Sequence, residues 1–295
     1  LLSTSLTTNI VRSIKANPKV EIIDGMTGAR LPFFKALGVS MAVAKMLRKR
    51  DDKRIGVILP PGGGGVIATL SCLLAGITPV LINYASSAAA FESTVRQAGL
   101  KTFITARKFM QKLPQFPWPP AEQLILVEDL LQNTSKLTLI SNVLTAKMAP
   151  ASLICNMFDT DARKNNDEAV MLFTSGSSGE PKGVVLTHRM VLANASQCAC
   201  RLDMNNLSFL ASLPIFHSFG MTVAMMLPLL TGCPFCAYPN PTDARTINEL
   251  IVKHKLSLVC ATPTFGRAML RRADADTFKN VRYFVLGAEK LQADL

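Results

Sequence analysis

The chain has 295 residues, of which 49% are apolar and 18% charged, and its mean hydropathy is +0.28. A chain of that size and composition builds a large core without disulfide or metal staples, which excludes a disordered polymer, and ordinary glycine and proline usage excludes a fibre. The formal net charge of +12 suits an acidic partner or an anionic surface, while one Trp and three Tyr leave little aromatic surface for single-stranded nucleic acid.

Strand and helix signals alternate along the chain. Val20–Asp24 and Ala29–Pro32 read as short strands, and Phe33–Lys49 as an amphipathic helix whose basic end suits a C-terminus. Ile55–Leu59 is a buried strand, Val66–Ala75 a helix stopped by Gly76, and Pro79–Ile82 a strand. Ala88–Ala98 is a helix ending at Gly99, and Lys101–Thr105 a strand. Four prolines within Gln111–Pro120 predict a surface loop, followed by a strand at Gln123–Val127 and a helix at Leu137–Lys147. Asp159–Glu168 is polar and reads as an exposed linker. Beyond it lie strands at Ala169–Phe173, Ser208–Leu213, Cys233–Tyr238, Leu256–Cys260 and Val281–Leu286. Helices are expected at His188–Arg201, Gly220–Leu230, Asp243–Lys255 and Pro263–Ala273.

This alternation predicts an α/β protein with two mostly parallel sheets flanked by helices, divided at the linker into halves 1–165 and 166–295. Sites in such folds sit at strand carboxyl ends, so the loops after Phe173, Leu213, Cys260 and Leu286 are the ones to inspect. Two long stretches lack charge, Ile55–Phe91 and Met204–Thr242, but prolines and glycines cut each below the length of a spanning helix. Seven dispersed Cys are no disulfide framework and point to a reducing compartment, with Cys233 and Cys236 as core thiols and Cys198 and Cys200 as helix packing. Leu1–Ile10 has no signal-peptide pattern, and a first residue other than Met suggests a piece of something longer.

Strand Ala169–Phe173 runs into Thr174-Ser-Gly-Ser-Ser-Gly-Glu-Pro-Lys-Gly183. Glycines let a backbone curl with N–H groups inward, the hydroxyls of Thr174, Ser175, Ser177 and Ser178 add donors, and Lys182 adds a charge, so the segment can wrap a polyphosphate. It is no Walker A loop: Pro181 stands where the second Gly belongs, and Gly183 follows the Lys. GxGxxG and GxSxG are absent here too, which argues against a dinucleotide site and an ordinary serine hydrolase. His217, between Phe216 and Phe219 after a predicted strand, is a candidate substrate-site residue. His188 and His254 read as structural or solvated.

TSGSSGEPKGV resembles the signature loop of adenylate-forming (AMP-binding) enzymes: acyl-CoA and acyl-carrier-protein synthetases, luciferases and nonribosomal-peptide adenylation domains. Three further segments agree in order. Ile55–Pro60, with Leu74-Ala-Gly and Pro79–Asn83, is similar to the family's early βαβ segment, Leu213-Pro-Ile-Phe-His-Ser-Phe-Gly220 to its PxFHxxG motif, and Leu286–Leu291 to its adenine-binding Gly-Ala strip. FHSFGMTV, PLLTG and GAEKLQ look most like the synthetase part of the bacterial acyl-ACP synthetase/2-acylglycerophosphoethanolamine acyltransferases. The family's later motifs, its ribose-binding Asp and its lid domain with a catalytic Lys, have no counterpart, so the resemblance implies a large N-terminal domain incomplete at its C-terminus.

The resemblance implies an acid–thiol ligase of lipid metabolism using ATP and Mg2+. A fatty acid carboxylate attacks the α-phosphate, and a phosphopantetheine thiol of acyl-carrier protein or CoA then takes the acyl group. Carried over residue by residue, Thr174, Ser175, Gly176, Ser177, Ser178, Gly179 and Lys182 would hold phosphate, Gly287, Ala288 and Glu289 the adenine, and His217 would orient the carboxylate or gate the thiol. Met225, Met226, Leu227, Phe235 and Phe265 would suit an acyl tunnel. The expected location is the cytoplasm, with peripheral membrane contact as an option, and nucleic acid is not expected. One alternative is an ATP-binding fragment without turnover. The other is a lipid acyltransferase component, for which the usual His-x4-Asp pair is missing: the positions are Ala193, Thr222 and Val259.

Overall fold

A computed structural model describes residues 4–174 and 180–291. Among the described residues twelve strands form two six-stranded sheets. In chain order they are β1 Glu21–Asp24, β2 Arg30–Pro32, β3 Arg54–Val57, β4 Thr78–Leu81, β5 Phe103–Thr105, β6 Leu124–Leu126, β7 Glu168–Thr174, β8 Lys182–Thr187, β9 Phe209–Ala211, β10 Phe235–Ala237, β11 Leu258–Ala261 and β12 Tyr283–Leu286. One sheet runs β6-β5-β3-β4-β7-β8 and the other β12-β11-β9-β10-β1-β2. All pairs are parallel except β7–β8 and β1–β2, which add an antiparallel edge to each sheet. The fold class expected from the alternation is therefore the one observed. The strands are short, apolar and mostly buried on both faces, as helix-covered parallel strands are.

The boundary at 165/166 is not the boundary between the sheets. β1 and β2 pair onto the sheet built by the later strands, and β7 and β8 pair onto the earlier one. The first joins through Ile22 against Phe235, the second through Met171 against Val80. Most of Asp159–Glu168 is exposed, as the linker reading expects, but Thr160 and Arg163 are anchored in the fold. Thr160 is fully buried, its hydroxyl bonded to that of Thr8 at 2.8 Å. Arg163 inserts its guanidinium beneath helix Gly63–Ala75, donating to the carbonyls of Leu73, Leu74 (2.9 Å) and Phe158 (3.3 Å). Burial and the neighbouring Arg48 bring its pKa down to about 10. These bonds satisfy helix-end carbonyls that would otherwise lack partners.

Among the described residues four α-helices had no expectation from the sequence: Leu6–Ala16, Arg107–Lys112, Val127–Asn133 and Ala151–Met157. The first is capped by Ser5, whose Oγ accepts from the Thr8 N–H at 3.2 Å, and it buries Thr7, Thr8 and Asn9 along with its apolar residues. Buried polar side chains of this kind defeat a search for apolar periodicity. The proline-rich loop is also less of a surface feature than expected. Phe116 is buried against Phe91 and Trp118, at ring separations of 5.0 and 4.9 Å.

His188 is buried, and its Nδ1 accepts the Leu6 N–H at 3.2 Å, tying the first helix to the one at His188–Ala199. Burial, with the nearby charge of Arg163, lowers its pKa from 6.5 to about 4. The unfolded chain therefore binds the extra proton first as pH falls. Stability should be complete above about pH 6.5 and decline until about pH 4, by on the order of 3 kcal/mol in total. Urea midpoints measured from pH 7 to 4 should show this decline, and His188→Asn, which keeps an acceptor but no titration, should lack that part of it.

Candidate active site

Strand order reverses once in each sheet. β9 lies between β10 and β11, and β3 between β4 and β5, so the loops leaving β9 and β3 stand at the two switch points, where α/β folds open a crevice. The loop leaving β9 is Leu213–His217. The loop leaving β3 is the Pro60–Gly65 turn that opens helix Gly63–Ala75. They meet: a Cβ on Gly65 would lie 3.0 Å from the Ile215 side chain.

His217 is the residue before helix Ser218–Met221, and its carbonyl accepts the Met221 N–H at 2.7 Å. Phe216 is buried edge-on against Tyr84 from the loop after β4, at 4.8 Å between ring centres. The exposed imidazole of His217 tilts against Phe216 at 4.5 Å. Partial desolvation lowers its pKa, so it is neutral at pH 7, and it offers one N–H and one lone pair. Gly220 has a packing cause, since a Cβ there would overlap the carbonyl of Pro214. The helix then widens into a π-turn over Thr222–Met226, where Thr222 donates to the Asn194 Oδ1 at 2.9 Å. Pro228, which has no N–H to donate, follows it.

Thr174 and Lys182 face each other as the last pair of the β7–β8 hairpin, both exposed. Between them, Ser175, Gly176, Ser177, Ser178 and Gly179 lie outside the described residues. The sequence reading took Lys182 and Gly183 as loop; they open strand β8. A Cβ at Gly183 would press on the end of the Met171 side chain and on the Phe173 ring. The returning side of the turn is fastened to helix Ala88–Ala98. Glu180 accepts from Ser93 and pairs with Arg96, each at 3.1 Å, and Gln97 donates to the Pro181 carbonyl at 2.8 Å. Glu180 carried no recognised signal in the sequence, because its partners are more than 80 positions away. Among the described residues the Lys182 side chain has no hydrogen-bond or ion-pair partner.

Gly287, Ala288 and Glu289 leave the carboxyl end of β12. The Gly287 N–H donates to the Ala261 carbonyl at 3.1 Å, and Ala288 takes a left-handed conformation with φ 68°. The Glu289 carboxylate accepts from both the hydroxyl (2.7 Å) and the N–H (3.2 Å) of Thr264, which lowers its pKa. Its side chain thus caps helix Pro263–Arg271, and its backbone is what remains for a ligand.

A cavity of about 1260 Å³ lies between the segment after His217 and the strip after β12. Ser218 and Phe219 form one wall and Ala288 another, with helix His188–Ala199 contributing Val191, Asn194 and Cys198. The Phe219 ring also lies 3.4 Å from where a Gly287 Cβ would be. The structure therefore brings the His217 segment and the Gly287–Ala288 strip together, whereas His217 itself, Thr174 and Lys182 are not among the cavity-lining residues. Of the tunnel candidates only Leu227 lines it. Met225, Met226 and Phe235 are core. The wall-forming face of His188–Ala199 was missed, since its spacing resembles ordinary helix packing. Cys200, expected to pack, is exposed beyond the helix end, while Cys233 and Cys236 are buried free thiols as expected. Among the described residues no group of three or more His, Cys, Asp or Glu is placed to hold a metal ion.

A family model described as AMP-binding enzyme matches residues 13–295. The chain belongs to the AMP-binding enzyme family. It is 33% identical over 112 residues to a long-chain-fatty-acid–CoA ligase of Bacillus subtilis (strain 168), covering 37% of this chain and 20% of that protein. It is 24% identical over 257 residues to the mitochondrial medium-chain acyl-CoA ligase ACSF2 of Rattus norvegicus, covering 79% and 41%. Its fold matches the inhibitor-bound N-terminal domain of FACL13 from Mycobacterium tuberculosis with a TM-score of 0.75 at 20% identity, covering 99% of this chain and 71% of that one. These matches span half or less of the curated relatives' lengths.

Proposed function

We propose that this chain is the part of an acid–thiol ligase that binds ATP and a fatty acid and brings them together. The carboxylate attacks the α-phosphate, the bond to the β-phosphate bridging oxygen breaks, and pyrophosphate leaves with that electron pair. The acyl-adenylate then passes its acyl group to a phosphopantetheine thiol of CoA or acyl-carrier protein, and AMP leaves. The observation that carries this reading is the large cavity running from Ser218–Phe219 to Ala288, which sets a greasy space beside the strip that resembles an adenine site.

In this reading Lys182, Thr174 and residues 175–179 hold the β- and γ-phosphates, where charge builds as pyrophosphate departs. Gly287, Ala288 and the Glu289 backbone hold the adenine. His217 donates a hydrogen bond to the carboxylate and turns it toward phosphorus. No general base is needed, because a carboxylate is already ionised at pH 7. Magnesium would accompany the nucleotide as counter-ion to its phosphates, since the described residues build no metal cage. The net charge of +12 suits either polyanionic acceptor, CoA or an acidic carrier protein, and the resemblance of FHSFGMTV and GAEKLQ favours the carrier protein. All seven cysteines are free, as suits the cytoplasm. The experiment is fatty-acid-dependent exchange of labelled pyrophosphate into ATP by the full-length protein.

A further inference from the structure

Helix Lys136–Met148 packs one face on helix Phe33–Leu47, where Val143 sits against Gly38 and Asn142 and Ala146 are buried. Its outer face should be polar, and it is not. Leu137, Ile140, Leu144 and Met148 are 80%, 55%, 50% and 78% exposed. At 100° per residue they fall within an arc of about 80°. Leu153 and Met157, on the helix that follows, are exposed as well. Single exposed apolar side chains are ordinary, but a continuous stripe is a binding surface.

The charge around the stripe is one-sided. Residues 130–158 contain two lysines, Lys136 and Lys147, and no Asp or Glu. The cations that reach this helix pair from elsewhere are Lys15, which donates to the Ala146 carbonyl at 2.8 Å, Lys45, which donates to Asn142, and Arg48, which donates to the Met157 carbonyl. The one acid among these contacts is Asp159, held by Arg48 at 2.7 Å. We infer that this face docks on an anionic membrane surface, its apolar stripe entering the acyl boundary and its lysines meeting the head groups. That is how an amphipathic helix lies in an interface, and cations at such a boundary add attraction that salt screens. No helix of the described residues is long and apolar enough to cross the membrane, so this contact is peripheral. The inference goes beyond the ligase reading and does not depend on it.

The test is sedimentation of this chain with vesicles of phosphatidylcholine alone and with phosphatidylglycerol added. Wild type should partition to the anionic vesicles and come off with salt. The quadruple variant Leu137→Gln, Ile140→Gln, Leu144→Gln and Met148→Gln should lose at least about tenfold in partitioning with an unchanged melting temperature, because all four side chains are exposed. Val252→Gln, at an exposed apolar position on helix Ala244–His254, should bind like wild type. As a second readout, Leu144→Trp should shift its emission to the blue on anionic vesicles. Failure of wild type to bind, or equal binding by the quadruple variant, overturns the inference. A wild-type dimer that the quadruple variant converts to monomer, without vesicle binding, would assign the face to a second copy of the chain instead. None of these outcomes bears on nucleotide binding, so the ligase reading is judged separately.

Discussion

Lys182→Ala is expected to weaken ATP binding by roughly ten- to hundredfold and to leave the melting temperature unchanged. The size follows from one charged contact to phosphate, about 1.5–3 kcal/mol. The unchanged stability follows from the structure: the side chain is exposed, and no described residue partners it. Only β8 pairing at Thr174 depends on this position, and that pairing uses backbone. AMP carries neither a β- nor a γ-phosphate, so its affinity should change little in the same variant. Calorimetry with both nucleotides reads the difference. Equal losses for AMP and ATP would move Lys182 away from the terminal phosphates.

His217→Ala should slow acid activation by about tenfold or more while changing the ATP Michaelis constant little, because in the proposed function the imidazole serves the carboxylate and not the phosphates. Its ring rests on Phe216, and its neighbours Ser218 and Phe219 open onto the large cavity. Each methylene buried there is worth roughly 0.8 kcal/mol, so efficiency should climb about fourfold per carbon until the cavity is full. A series from acetate upward, run on wild type and His217→Ala, separates the two effects: the slope belongs to the cavity and the offset to the histidine. A preference for acetate or for an aromatic acid would refute the fatty acid reading, and wild-type rates in the variant would make His217 a structural residue.

How much of this was legible in the sequence depends on which residues carried it. Strands such as β4 and β11 are buried at every position and apolar apart from Thr78, so their alternation with helices gave the two-sheet architecture directly. The pairing of β1 with β10, and of β7 with β4, was not legible, because nothing local in Glu21–Asp24 names a partner more than 200 residues away. The first helix was hidden by Thr7, Thr8 and Asn9, polar residues that are buried with side-chain or backbone hydrogen-bond partners. In the site, Lys182 and His217 stood out by residue type within a compact motif. Arg96, Gln97 and Thr264 did not, since each acts by holding a loop that only the fold brings to it.

The central claim is that this chain serves activation of a carboxylic acid by ATP, and pyrophosphate exchange measures that step apart from any later transfer. With the full-length protein, label should enter ATP only when a fatty acid is present, faster with longer acids, and Lys182→Ala should suppress it. Exchange that ignores the acid, or no exchange with any acid from acetate to long-chain under conditions where ATP binds, would contradict the account.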